Sequence, residues 1–331
     1  MSLPETTGRG RKRPALRLVE TKDLPRIDWL EVRKSGIGGS DAAAAVGLNP
    51  YMSALELWLV KTGRDANLPK PDADDPTAPV YWGTLLEPIV AASYTKQTGN
   101  RVRRVNAVLQ HPTIPFMLAN LDREVIGVTG VQILECKTAG EFGARLWRDG
   151  PPEYVQVQVQ HQLAVTGKSA ADVAVLLCGQ KLEVHRIERD DELIARLIPL
   201  EAAFWRYVET DTPPPADGSE SADRALRCLY PGTGGTIDFT DDRKLSSLFA
   251  DLVAIRGDIE QRETQEAVLR QTLIQAMGEA DRAIFETGSV SFKRSRDSAS
   301  VDLRRLLADR PEVASKYALT KPGSRRFLVS T

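Results

Sequence analysis

The sequence predicts an α/β fold in which a mixed central sheet is flanked by helices, followed by a mainly helical C-terminal extension. Three observations carry that expectation. Over residues 29–208, short apolar runs alternate with helical patterns in the order helix, β-meander, helix, β, helix, which suits a layered core. A stretch rich in Pro, Gly and Ser, Thr212-Pro213-Pro214-Pro215 and on to Ser221, interrupts the pattern near residue 212. Beyond it Leu245, Leu248, Leu252, Ile255, Ile259, Val268, Leu269, Leu273 and Met277 recur at heptad-like spacing. The expected organisation is a flexible basic N-terminal segment over 1–25, a core over 26–211, and an accessory extension over 212–331 with a long helix and a small hairpin.

Each element rests on a local signal. Ser40 suits the N-cap of a helix over 41–46 that Gly47 ends, and Ser53 opens a second helix that Gly63 closes. Residues 64–80 read as a loop. A helix over 84–97 is expected to turn Leu85, Leu86, Ile89 and Val90 inward. Strands follow over 102–110, 116–120, 123–128 and 131–137, with Gly127 and Gly130 bracketing a tight hairpin. Pro152 opens a helix that Gly167 stops. A hairpin over 173–178 and 182–187 turns at Gly179, and a long amphipathic helix covers 190–208. The apolar stripe of 240–278 breaks register around 260–266, which predicts either one long helix or a helical hairpin. A strand pair over 283–286 and 290–293 and another helix complete the chain.

Composition sets outer limits. The 331 residues are 42% hydrophobic and 27% charged, as in a soluble globular protein. No apolar run approaches the roughly 20 residues of a membrane span, and the basic start lacks the apolar centre of a secretory signal. Cys136, Cys178 and Cys228 are odd in number and widely spaced, which predicts reduced thiols in a cytoplasmic protein and no zinc or iron–sulfur framework. The formal net charge of −1 argues mildly against nucleic-acid binding. Basic residues nevertheless cluster over 9–17, 101–104 and 321–326, and acidic ones over 72–75 and 190–192, so the total does not decide the matter.

The chemistry lies in Asp122, which follows Ala119-Asn120-Leu121, and in Glu135-Cys136-Lys137 thirteen residues later. Strand side chains alternate, so Glu135 and Lys137 share a face and Cys136 points to the other, into the core. If the Asp122 strand lies alongside, one hydrated face carries Asp122, Glu135 and Lys137 together. Two carboxylates and an ammonium in that arrangement suit metal-assisted cleavage of a phosphodiester. Asp122 and Glu135 would bind Mg²⁺, or Mn²⁺ in its place, through hard oxygen ligands, with the Cys136 carbonyl as a further ligand. The metal would polarise the phosphate, and Lys137 would orient or deprotonate the attacking water and offset developing charge. A structural Glu135–Lys137 salt bridge is the plain alternative.

Other candidates are double-edged. Glu87 is placed to complete a metal shell, but Thr84-x-x-Glu87 is also a capping box. Gln158 and Gln162, one helical turn apart after the Glu-x-Lys strand, either reach the site or mark a polar helix boundary. His161 reads as a surface or packing residue. The glycine-rich turn Gly36-Ile37-Gly38-Gly39-Ser40-Asp41 feeds a helix N-terminus where free N–H groups, Ser40 and Arg33 could hold a phosphate. A tight connection is the alternative, and Asp41 would repel a phosphate unless it is otherwise engaged.

These motifs, taken together and in order, resemble the YqaJ viral-recombinase family, relatives of lambda exonuclease among the PD-(D/E)xK nucleases. The resemblance covers 29–208. It comprises Arg33 with Gly36-Ile37-Gly38-Gly39-Ser40-Asp41, Asn49-Pro50-Tyr51, Leu55-Glu56-Leu57, Trp82-Gly83-Thr84-Leu85-Leu86-Glu87-Pro88, Ala119-Asn120-Leu121-Asp122, Leu134-Glu135-Cys136-Lys137-Thr138, and Gln158-Val159-Gln160 before Val165-Thr166-Gly167. It implies a PD-(D/E)xK nuclease core and a Mg²⁺-dependent 5′→3′ exonuclease on double-stranded DNA ends. It also implies a trimeric ring of identical subunits and a single-strand annealing protein as partner, in a bacterial cell carrying a phage or prophage. Carried over by residue, it makes Asp122 and Glu135 metal ligands, Lys137 the catalytic lysine, Glu87 the helix carboxylate and Gln158 a residue at the edge of the active site. Arg33 and Ser40 become the pair that holds the 5′-phosphate. The chain departs from the family pattern at Arg123, where a glycine usually follows the aspartate, and at Ile126-Gly127-Val128-Thr129-Gly130, which lacks a frequent second acidic residue. A threaded ring would need basic residues such as Arg101, Arg103 and Arg104 facing the DNA. Two rivals stand beside this reading: a PD-(D/E)xK endonuclease of another type, and a non-catalytic protein that binds DNA ends or a partner.

Overall fold

The structure, a computed structural model, describes residues 15–69, 72, 74–232, 234–320, 323 and 325–330. The chain divides into two units, Met1–Pro231 and Gly232–Thr331. In the first unit β1 (Leu16–Glu20) leads to helices α1 (Arg26–Lys34), α2 (Gly39–Ala45), α3 (Ala54–Lys61) and α4 (Pro79–Thr98). Strands β2 (Arg101–Arg103), β3 (Ala107–Gln110), β4 (Leu118–Ala119), β5 (Arg123–Ile126) and β6 (Ile133–Ala139) follow. After a short helical turn come α6 (Glu153–Thr166), β7 (Ala170–Leu177), β8 (Lys181–Glu188), α7 (Asp191–Glu209) and α8 (Glu220–Leu229), the short turn including α5 (Glu141–Ala144).

The central sheet has five strands in the order β2-β5-β6-β7-β8. Its one parallel pair is β6 with β7, joined by the crossover helix α6, and the other pairs are antiparallel. The mixed sheet flanked by helices is therefore the fold class the sequence predicts. A core cluster that includes Ile133, Val155, Val159 and Val173 joins the sheet to α6, and another that includes Leu134, Val90, Tyr94 and Ala174 joins it to α4. Alternation along β6 thus sends Glu135 toward α6, while Cys136 packs against the α4 cluster.

Several expectations are corrected. The strand Leu16–Glu20 pairs antiparallel with β3, so the described part of the N-terminal segment belongs to a three-stranded sheet, β1-β3-β4. Residues 1–14 lie outside the described residues. The boundary falls at Pro231 rather than 211, because α8 packs on α3. Ser221 donates to Glu56 at 2.6 Å and Arg224 pairs with it at 3.0 Å, which fastens residues beyond the proline run to the core. Helix α4 starts at Pro79, not near Thr84, and of the four side chains expected inward Leu85 and Ile89 are exposed. Helix α1 has no counterpart in the expected elements. His161 is buried, bonded to Glu201 at 2.7 Å and to the Leu118 carbonyl at 2.8 Å.

In the second unit α9 (Arg243–Met277) is a single continuous helix, which decides between the two forms expected for 240–278. A hairpin of β9 (Arg282–Phe285) and β10 (Gly288–Ser291) and two short helices, α10 (Leu303–Asp309) and α11 (Pro311–Lys316), complete it. The basic cluster expected over 321–326 lies partly outside the described residues. Among those residues no helix is long and apolar enough to cross a membrane.

Candidate active site

The site is assembled where β5, β6 and α6 meet. Asp122 stands just before β5, and its Oδ2 accepts from the Cys136 backbone N–H at 2.8 Å, which ties it across to β6. Glu135 is buried, at 3% exposure, so the hydrated face expected for it is in fact covered by α6. Its Oε1 accepts from Lys137 Nζ at 2.7 Å and from Gln158 Nε2 at 2.6 Å. Its Oε2 accepts from Gln162 Nε2 at 2.8 Å. Gln158 Oε1 in turn accepts from Lys137 at 3.0 Å. Asp122, Glu135, Lys137 and Gln158 are thus brought together, and Gln162 joins them. Its spacing from Gln158 was the only sequence signal for it.

The electrostatics of this cluster follow from burial and like charge. Burial, then the Glu135 charge, pushes the Asp122 carboxyl well above the ordinary carboxylate range. Lys137 works the other way: burial opposes its charge, but Glu135 and Asp122 outweigh that, so its pKa rises and it stays an ammonium. A lysine held cationic is suited to charge stabilisation and to orienting water rather than to accepting a proton. Burial and the neighbouring carboxylates also push the Cys136 thiol up, so it remains protonated and unreactive. Tyr154, on α6, meets Tyr51 edge-on with ring centroids 5.8 Å apart, and burial, with Tyr51 beside it, pushes its hydroxyl above the usual phenol range, Lys137 opposing. No sequence signal marked Tyr154.

Glu87 does not form a cap. The helix begins at Pro79, Thr84 donates to the Val80 carbonyl at 3.1 Å, and the capping-box reading is overturned. Glu87 Oε1 instead accepts from Arg123 at 2.5 Å, so the residue standing where a glycine was expected occupies the helix carboxylate. Among the described residues no three His, Cys, Asp or Glu side chains converge as a ready metal site. The pair Asp122 and Glu135 nevertheless fits a divalent cation. Both are oxygen donors, their mutual repulsion in a buried setting is what a dication relieves, and the nearby Gln162 Oε1 is buried with no partner.

Arg33 and Ser40 also meet. The guanidinium donates to Ser40 Oγ at 2.7 Å and to Asp41 Oδ1 at 2.9 Å, and stacks over Trp29 at 4.8 Å. Asp41 is engaged, as its place in the turn required. Its Oδ2 accepts from Lys61 at 2.7 Å and from the Gly38 N–H at 3.0 Å. The helix is therefore capped at Gly38 rather than at Ser40, and Asp41 fills the anion position that free N–H groups were expected to offer. Burial would raise the Asp41 pKa, but Arg33 and Lys61 hold it far below the usual range. Two cations around one carboxylate leave one positive charge over, on Arg33, whose side chain is 25% exposed.

Glycines set this segment against the carboxylate site. A Cβ at Gly36 would lie 2.5 Å from the Phe116 carbonyl oxygen, where the turn bridges to the strand leading to Asp122. A Cβ at Gly39 would lie 3.1 Å from Gln162 Cγ and 3.4 Å from Gln158 Cγ. Ser40 therefore follows a residue packed directly on the two glutamines that hold Glu135.

A family model described as YqaJ-like viral recombinase domain matches residues 28–169. The protein described as uncharacterized protein YqaJ of Bacillus subtilis (strain 168) is 35% identical over 305 residues, which span 90% of this chain and 92% of that one. The chain belongs to the YqaJ family. Similarity on that scale runs beyond the first unit, so the likeness to that protein takes in part of the second unit. A shorter match, 37% identical over 73 residues, links 22% of this chain to 19% of protein D345L of African swine fever virus (strain Badajoz 1971 Vero-adapted). Among solved structures, an alkaline exonuclease (LHK-Exo) from Laribacter hongkongensis is 26% identical with a TM-score of 0.45, over 56% of this chain and 93% of that one.

Proposed function

We propose that this YqaJ-family chain is a Mg²⁺-dependent 5′→3′ exonuclease. It would resect one strand of a double-stranded DNA end to leave 3′ tails for annealing-type recombination, as a homo-oligomeric ring working with a single-strand annealing protein. The observation that carries the reading is the adjacency of two sites. The Arg33–Ser40 pair, with its surplus positive charge, sits one residue from the packing contact with Gln158 and Gln162, which hold Glu135. A 5′-phosphate on the first would bring a nearby phosphodiester to the second, which gives directionality from an end.

Asp122 and Glu135 would hold the metal, which when bound polarises the phosphate and lowers the pKa of water. Gln158 and Gln162 fix the Glu135 carboxylate. Lys137, kept cationic, orients the attacking water and balances charge on the phosphate as it becomes pentacoordinate. Arg103, on the exposed edge strand β2, pairs with Glu124 at 2.6 Å, while Arg101 and Arg104 are the solvent-exposed cations available to track a DNA backbone.

Two measurements examine these assignments. Arg33→Ala is expected to remove the preference for 5′-phosphorylated over 5′-hydroxyl ends while turnover on hydroxyl ends changes little. An unchanged preference would take Arg33 out of the end pocket, and cutting of closed circles by the wild type would point to an endonuclease. Arg123→Gly frees Glu87 and is expected to lower the Mg²⁺ concentration for half-maximal cutting by roughly 10-fold or more. An unaltered Mg²⁺ requirement would separate Glu87 from the metal.

A further inference from the structure

Helix α9 carries an apolar seam that the proposed reaction does not use. None of its residues is buried, and Ile255, Ile259 and Leu269 are 55%, 51% and 67% exposed. Counted from Leu245 as the first a position, the heptad never loses phase. Leu245, Leu252, Ile259, Glu266 and Leu273 stand at a, and Leu248, Ile255, Arg262, Leu269 and Ala276 at d. The apparent break around 260–266 is a change of residue type, since Arg262 and Glu266 occupy seam positions. Leu269 and Leu273, with Val290 and Phe292 beside them, also line an open groove of about 390 Å³.

We propose that this seam docks a second copy of this chain, with the two α9 helices antiparallel about Thr264. In that arrangement Arg262 lies opposite the partner subunit's Glu266, and by symmetry the same pair forms again. Ile259 then meets the partner subunit's Leu269, Ile255 the partner subunit's Leu273, and Leu252 the partner subunit's Ala276. Every seam position from 252 to 276 finds a complement, which is the self-complementarity an isologous interface needs. A parallel, in-register pair would instead set each Arg262 and each Glu266 against its own kind. A slip of one heptad would press the charges onto Ile or Leu, so the two polar layers specify the register. Arg256 falls near the partner subunit's Arg270, at the exposed rim where like charges count for little; Glu266, 3.7 Å from Arg270 on its own helix, turns to the partner subunit's Arg262 in the pair.

The test uses the full chain and reads its mass by sedimentation, whatever assembly the first unit forms. Glu266→Arg is expected to weaken the association roughly 10²-fold or more by placing four like charges in the seam. The exchange Arg262→Glu with Glu266→Arg is expected to restore the wild-type mass. Circular dichroism on each variant separates loss of contact from loss of helix. An unchanged mass in a folded Glu266→Arg variant, or no recovery in a folded exchange variant, would overturn the proposal. For direction, Ile259→Cys with Leu269→Cys is expected to give interchain 259–269 disulfides on oxidation, whereas Ile259→Cys alone gives no 259–259 link. Peptide mapping distinguishes these from links through Cys136, Cys178 and Cys228, and 259–259 links would overturn the antiparallel pairing.

Discussion

Lys137→Ala is expected to lower turnover on duplex DNA ends by roughly 10²–10⁴-fold, with folding intact and binding to DNA ends little changed. The reason lies in what Lys137 touches. It spans Glu135 at 2.7 Å and Gln158 at 3.0 Å, and the surrounding carboxylates keep it charged. Its removal takes the one ammonium from the carboxylate site while leaving Glu135 two glutamine donors, so the buried carboxylate is not stranded. Thermal unfolding of the variant provides the control. Wild-type rates from a folded Lys137→Ala enzyme would remove the lysine from the catalytic machinery.

Asp41→Ala is expected to cost about 3–5 kcal/mol of stability, the range for leaving a buried charge without its partner. Lys61 is the charge in question, with its side chain only 2% exposed and salt-bridged to Asp41 at 2.7 Å. Among the described residues its other bond is to the Arg33 carbonyl, at 2.8 Å, which does not neutralise it. Adding Lys61→Met to Asp41→Ala is expected to recover most of the loss, and chemical denaturation of both variants measures it. The same pair predicts an acid limb. Because the folded Asp41 pKa lies below its unfolded value, its contribution is complete above roughly pH 4 and fades as pH falls toward the folded value. In Asp41→Asn that part of the acid sensitivity should disappear. A stability loss under 1 kcal/mol, or an unaltered acid limb, would mean the contacts of Asp41 with Arg33 and Lys61 are looser than their distances indicate.

What could be read from the sequence was local. The i, i+2 rule placed Glu135 and Lys137 on one side of β6, and the family resemblance joined Arg33 to Ser40. Gly167 and Ser53 marked helix ends that the structure keeps, with Gly167 left-handed and Ser53 accepting from Glu56 N–H. What could not be read depends on distant partners. Glu56 looks like a surface residue until Arg224, 168 positions away, is seen on it, and that contact moves the boundary beyond the proline run. The capping-box alternative for Glu87 arises because the true start of α4, at Pro79, hides in a Pro- and Asp-rich stretch. The exposure of Leu85 and Ile89 is likewise a matter of which neighbours α4 has, not of its periodicity. Arg123 departs visibly from the family pattern, but that it occupies Glu87 depends on the two elements lying side by side. The helix α1 offered no cap residue, since Pro25 precedes it without a side-chain bond.

The measurement that bears most directly on the central claim is a time course on linear duplex DNA carrying a 5′-phosphate at one end only, with Mg²⁺ and with chelator. Loss of the phosphorylated strand from its 5′ end, with its complement intact and no loss in chelator, is the predicted result. Loss of both strands at equal rates, loss from the 3′ end, or undiminished cutting in chelator would contradict it.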